Sequence, residues 1–413
     1  MRRILLATVL LATPAFAENW ARWRGPHQNG TTSLTGLPVT WGPQQNVKWK
    51  IDAGRGASCP SVWNDRIYLT TGRDGKNLLQ ALDWDGKTLW TAEIGKEIPG
   101  KHRKASGSNP TPAVDDQHIY VYYKSGDLAA VTHAGAVAWR RNLQSEFAAD
   151  NLWWDLGTSP VLTRDSVVIA VMQTGNSYLA AFDRRTGAVR WKVDRNLDSV
   201  EEAHQAYSTP LVLEEKGRET LVTLGADHVT SHDAATGELL WIAGGFNPNR
   251  EKFWRSIAGP VLGAEGLVAA PYARGGTLTG VKLGGSGDVT ATHKVWETRD
   301  AAPVDVPTPA AHQGKIYVCS DKGKLTCVDA LTGKTEWQVE TEKARAGFSA
   351  SPVLAEGRAY LTREDGVVFV VDLAKREVVA RNAMDDEFTV ATPVPAPGKW
   401  LLRSEKTLVC VGQ

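Results

Sequence analysis

Ala181-Phe-Asp-Arg-Arg-Thr-Gly-Ala-Val-Arg-Trp191 is the stretch on which the reading of this chain turns. It reads as a strand ending at Asp183, a tight turn at Thr186-Gly187, and a second strand reaching Trp191. Asp suits such a turn because its carboxylate bonds back to nearby backbone; Gly suits it because it tolerates positive φ. The same text returns as Ser231-His-Asp233 with Thr236-Gly237 and Trp241, and as Cys327-Val-Asp329 with Thr332-Gly333 and Trp337. Looser copies are Ala81-Leu-Asp83 with Gly86 and Trp90, and Val131-Thr-His133 with Gly135 and Trp139. A self-similar unit recurring at about 40 to 55 residues marks a repeat architecture.

A second mark precedes each unit: a small residue, then proline, then an apolar run. The prolines are Pro60, Pro112, Pro160, Pro210, Pro260, Pro309, Pro352 and Pro393, at intervals of 41 to 52 residues. Proline at the start of a strand forfeits no ladder hydrogen bond. Runs such as Ile67-Tyr-Leu-Thr70, Ile119-Tyr-Val-Tyr122, Ile316-Tyr-Val-Cys319 and Ala359-Tyr-Leu-Thr362 read as second strands. Each unit is then four short antiparallel strands, and units of that kind arranged radially make a β-propeller. The last unit stops at Leu408-Val-Cys-Val-Gly412, before its Trp-bearing strand, and Val47-Lys-Trp-Lys-Ile51 is that strand without its partner. The expectation is an all-β, eight-bladed propeller whose N-terminal strand completes the last blade.

The tryptophans that close the units are Trp49, Trp90, Trp139, Trp191, Trp241, Trp296 and Trp337, with Ala380 in the remaining unit. Their even spacing assigns them to packing between neighbouring blades, not to ligand stacking.

The chain has 413 residues, 42% hydrophobic and 23% charged, which describes a globular protein. Residues 1–17, with a basic start, a short apolar run and Ala15-Phe-Ala17, read as a cleavable secretory signal peptide. Residues 18–413 then form one domain, bound for the periplasm or secretion. Loss of Arg2 and Arg3 leaves 45 basic against 46 acidic residues, so bulk charge favours neither nucleic acid nor an anionic membrane. No cysteine follows the cleavage signal, which argues against a lipid anchor. Four cysteines in an exported chain allow two disulfides. Cys327 and Cys410, however, replace Ala or Ser of other units, and Cys59 fills the small-residue slot of Ser159, Thr209 and Gly259. Packing is the favoured reading.

The Asp–Thr-Gly–Trp unit resembles the pyrroloquinoline quinone (PQQ) propeller repeat, and the resemblance spans essentially the whole mature chain. The superfamily includes quinoprotein dehydrogenases and the non-enzymatic propeller BamB of outer-membrane β-barrel assembly. Trp23-Arg-Gly-Pro26, Gly287-Asp-Val-Thr-Ala-Thr-His293 with Trp296, Phe348-Ser-Ala-Ser-Pro-Val353 and Leu408-Val-Cys-Val-Gly412 are similar to exported PQQ-like propellers of planctomycetes and related bacteria.

A PQQ enzyme needs an aromatic floor, cations for the quinone carboxylates, a Ca²⁺ held by oxygen ligands, and an Asp base. The resemblance further implies, for many alcohol dehydrogenases, a disulfide between adjacent cysteines; no two cysteines are adjacent here, and no Cys-x-x-Cys-His occurs for a haem. The expectation is a non-catalytic binding or scaffolding module of the envelope, monomeric and without cofactor. A PQQ- and calcium-dependent dehydrogenase with a reduced site, and a BamB-like assembly factor, are the alternatives.

Segments just upstream of the prolines carry aromatic, His and charged residues that the repeat does not demand. Trp154, Asp155, His204, Tyr207, Trp254, Arg255, Asp305, Arg345 and Phe348 are the candidates for a ligand site at the channel mouth. Three look-alikes are set aside. His228 and His232 have zinc-protease spacing but lie in a strand; Gly284-Gly-Ser-Gly287 lacks a following helix; Lys101-His-Arg-Lys104 reads as a solvated basic loop.

Overall fold

The computed structural model describes residues 18–272, 274–301, 304–384 and 387–412; the signal peptide expected over residues 1–17 lies outside them. The strands form eight sheets, one per repeat, each with four antiparallel strands. In chain order the blades span 61–96, 113–142, 161–194, 211–243, 261–298, 310–340 and 353–382. The eighth joins three strands within 394–412 to the strand Val47–Asp52, which pairs antiparallel with Thr407–Gly412. The ring is closed by the chain's own first strand, as the half-repeat predicts.

Each repeat residue has a physical task. At the third-blade turn, Asp183 Oδ1 accepts from the backbone N–H groups of Arg185 and Thr186, both at 3.0 Å. Those bonds, with the Arg190 guanidinium foremost, hold the carboxyl down at about 2. The indole N–H of Trp49, Trp90, Trp139, Trp191 and Trp296 donates to a turn carbonyl of the following blade, at 2.7 to 3.1 Å. Each ring also lies on the turn glycine beneath it. A Cβ on Gly86, Gly135, Gly187, Gly237 or Gly333 would stand 2.5 to 2.8 Å from that indole. Glycine serves there both for its positive φ and for the close approach.

The residue paired across the hairpin from each tryptophan is small: Ala81, Ala130, Ala181, Ser231, Gly280, Cys327 and Cys410. Where Ala380 replaces the tryptophan, its partner is the larger Val370. The larger partner makes up only part of the volume that the missing indole leaves. Cys327 and Cys410 are accordingly buried, unpaired thiols, as are Cys59 and Cys319.

Two tryptophans depart from the pattern. The turn that would receive Trp241 is rebuilt by an insertion. Gly287–Asp288 adds a parallel fifth strand beside Leu239–Ala243, and the one-turn helix Thr290–His293 follows. The expectation of a turn without a helix therefore fails locally. Trp241 is fully buried there, with its ring 6.5 Å from His293 and no acceptor for its indole N–H among the described residues. Trp337 faces a turn where Arg376, not glycine, takes the positive φ of 60°.

A belt of hydrogen bonds runs round the channel through the small residues before the prolines. Cys59 N–H donates to Thr111 Oγ1 (3.3 Å), Thr111 N–H to Ser159 Oγ (3.0 Å), and Ser159 N–H to Thr209 Oγ1 (3.0 Å). Gly259 N–H resumes it to Thr308 Oγ1 (2.9 Å), followed by Thr308 to Ser351 (2.9 Å) and Ser351 to Thr392 (3.0 Å). Thr392 N–H then reaches Cys59 Sγ at 3.3 Å. Gly259 has no side chain to receive Thr209, so the belt has one gap.

Candidate functional site

Below the belt, Trp20 to Gly30 crosses the channel and seals it. Trp20 and Ala21 carbonyls accept from Val62 and Val114 at 2.9 and 2.8 Å; Asn29 and Gly30 carbonyls accept from Ala311 and Leu354 at 3.0 and 2.8 Å. Gln28 exchanges two bonds with the Val212 backbone, at 2.9 and 3.0 Å. All five docking residues stand two places after a mark proline, so the plug reads the same register in five blades. Arg24 is buried at its centre and donates to the carbonyls of Pro352 (2.8 Å) and Pro309 (2.9 Å). Burial without a nearby carboxylate pulls its guanidinium down to about 9.

The channel is therefore a cup of about 350 Å³, with Trp23 in its floor, the belt round its wall and the upstream loops at its mouth. Trp154, Asp155, Tyr207, Arg255 and Asp305 all line it. The other candidates lie elsewhere. His204 ends the short 3₁₀ helix Glu201–His204. Trp254 packs edge-on against Tyr272, with centroids 6.0 Å apart, and its carbonyl accepts the Tyr272 hydroxyl. Arg345 is exposed, and Phe348 is a core residue tilted against Phe369. Sequence position alone did not separate these from the lining residues, since all lie on the same kind of loop.

The mouth is a set of ion pairs. Asp155 accepts the Lys124 ammonium, both side chains being almost wholly buried, and the backbone N–H groups of Lys101 and His102. Lys124 also donates to the Pro99 carbonyl at 2.7 Å. This folds the 99–104 loop over the rim. Lys101 and Arg103 stay exposed, but the expectation of a merely solvated loop is corrected: Lys104 reaches inward to Glu364 and Ser349, and His102 meets Trp154 edge-on at 5.4 Å. Arg255 bridges Glu202 Oε1 and Asp305 Oδ2, both at 3.3 Å, with its guanidinium 5.4 Å from the Trp154 ring. Trp154 Nε1 donates to the same Glu202 oxygen at 2.6 Å. Beside Asp305, burial and the neighbouring Asp305 charge push the Asp321 carboxyl up to about 6.

This donor set does not fit a calcium-held quinone. Calcium takes six to eight oxygen ligands, several of them carboxylate. Here Asp155, Glu364 and Asp305 are each already bound to a cation of the chain, and among the described residues no three acidic, His or Cys side chains gather to hold a metal. The Trp154 ring at the mouth is covered by Arg255.

Fold and cup together define a PQQ-like propeller with a plugged central channel. The sequence profile described as "Outer membrane protein assembly factor BamB" matches residues 39–198, 75–303 and 227–387, and the chain belongs to that family. It is 24% identical over 353 residues to the outer membrane protein assembly factor BamB of Yersinia pestis, across 81% of this chain and 80% of that protein. Among solved structures, BamB from Moraxella catarrhalis superposes with a TM-score of 0.63 at 15% identity, covering 88% of this chain and 98% of that one. A quinohemoprotein alcohol dehydrogenase from Pseudomonas putida HK5 gives 0.70 at 13% identity, covering 96% and 80%. At such identities the structural likeness speaks for the fold alone.

Proposed function

We propose that this protein is an exported, non-catalytic propeller that scaffolds protein assembly in the cell envelope, in the manner of a β-barrel assembly accessory. The observation that carries this reading is the family match over residues 39–387. The chemistry of the cup supports it, because the two carboxylates that line it, Asp155 and Asp305, are each held in an ion pair with a cation of the chain. The rim offers a contact surface. Trp153 and Phe253 are 49% and 59% exposed, with ring centroids 6.3 Å apart, which is unusual for large aromatics on a surface with no partner.

The test is affinity purification of the tagged protein from its own host's envelope in mild detergent. Recovery of an outer-membrane assembly component, reduced by Trp153→Asp with Phe253→Asp, is the expected result. Absence of any such component would overturn the scaffold reading, and turnover of an alcohol or sugar with PQQ, Ca²⁺ and an electron-accepting dye would replace it with the dehydrogenase.

A further inference from the structure

The cup holds polar atoms that the protein leaves unsatisfied, and their pattern specifies a ligand. Asp305 Oδ1 and Arg255 Nε are both buried without a hydrogen-bond partner among the described residues. Both residues line the cup. An unmade bond at a buried polar atom is destabilising, so an acceptor and a donor left open on two ion-paired residues are a feature to be explained. On the floor, half-buried Trp23 lines the cup, and its indole N–H has no protein acceptor among the described residues.

The wall adds a third element. Thr111, Ser159, Thr209, Thr308 and Ser351 line the cup, and each hydroxyl oxygen accepts a backbone N–H from the preceding blade. A hydroxyl that accepts in this way retains its own O–H to donate. The interior therefore offers a ring of donors, a donor and an acceptor side by side near the mouth, and an indole ring beneath.

Charge narrows the class. Asp155 is balanced by Lys124, Glu364 by Lys104, and Glu202 and Asp305 together by Arg255 and Arg274, so an ionic ligand would enter without a countercharge. What remains is a neutral molecule rich in groups that both donate and accept, with a flat apolar face for the floor. Vicinal hydroxyls and ring oxygens meet all three requirements, and about 350 Å³ lies within the usual range for small-molecule pockets.

We infer that the plugged cup is a binding site for a small neutral saccharide, held between the Trp23 floor and the Asp305–Arg255 pair. The site is separate from the rim aromatics and does not depend on the scaffold reading; a saccharide would act there as a ligand, with no bond made or broken.

The experiment is calorimetric titration of the whole chain without its signal. The probes are glucose, maltose and N-acetylglucosamine as neutral sugars, with putrescine and citrate as charged controls. At least one sugar is expected to bind with a dissociation constant of about 1 mM or tighter, and neither control to bind. Asp305→Asn and Trp23→Phe are each expected to weaken sugar binding about tenfold, the size of one lost hydrogen bond. Trp153→Ala, at the rim, leaves it unchanged. Trp23→Phe keeps the aromatic floor in place, and a melting curve checks that each variant is folded. Silence from all three sugars overturns the inference, as does binding of a charged control in their place. Sugar binding indifferent to both cup substitutions also overturns it.

Discussion

Gly259 is the belt position with no acceptor to offer, and it shows how much a single residue of the repeat carries. A Cβ there would meet Thr209 O and Thr308 Oγ1 at 3.6 Å, an ordinary contact, and its φ is not in the positive region. Gly259→Ser is therefore sterically allowed and places an oxygen where the Thr209 N–H points. The expected gain is about 1 kcal/mol from the bond, plus about 0.5 kcal/mol from the stiffer unfolded chain. Gly259→Ala supplies only the second part. Denaturant midpoints of the two variants decide: a serine variant no more stable than the alanine one would mean the belt bond contributes nothing. The prolines that mark this position were plain in the sequence, because a forbidden N–H donor shows locally. The belt was not, because its bonds join residues about 50 places apart and depend on the angle between blades. The same limit explains the mouth. Trp154 and Arg255 stood out by composition, whereas Lys104 shows its role only once Asp155 has drawn the 99–104 loop inward.

At the scale of the hairpin, the turn glycines separate two costs that are usually confounded. Gly314 and Gly333 have nearly the same φ, 73° and 70°, but a Cβ on Gly314 meets nothing within 4 Å while one on Gly333 stands 2.5 Å from Trp296. Gly314→Ala is expected to cost about 1 kcal/mol of left-handed strain. Gly333→Ala should cost a further 1 to 3 kcal/mol, roughly, as the indole is forced off its seat. Thermal unfolding of the pair measures the difference, and equal losses would remove the stacking role. The regular hairpins could be read from sequence because Asp, Gly and Trp each answer a local demand. The exceptions could not be read in the same way. Nothing near Trp241 announces that the next blade's turn has been rebuilt by residues 283–293, and the Val370–Ala380 exchange makes sense only across a strand pair.

For the whole molecule, the first thirty-odd described residues do two separable jobs, and only one was legible. The closing strand could be found by counting, since a blade lacking its last strand at one end matched a lone strand at the other. The plug lies outside the repeat, and its docking on five blades at one register follows from a closed ring that the sequence does not display. Two truncations tell these jobs apart. Removing residues 18–46 takes away the plug, with Trp20 and Arg24, but leaves Val47–Asp52 in the last blade. The ring stays closed, and a single cooperative transition at a lower midpoint is expected. Removing residues 18–52 also strips the partner from Thr407–Gly412 and the Trp49 indole from Gly86. That exposes a hydrophobic strand edge, which invites pairing with another chain, and removes both the hydrogen bond of the Trp49 indole to Trp84 O and its seat on Gly86 in blade one. The longer truncation is expected to lose cooperative unfolding and to aggregate. Calorimetry with light scattering reads both, and similar behaviour of the two truncations would show that the plug, not the closing strand, holds the ring together.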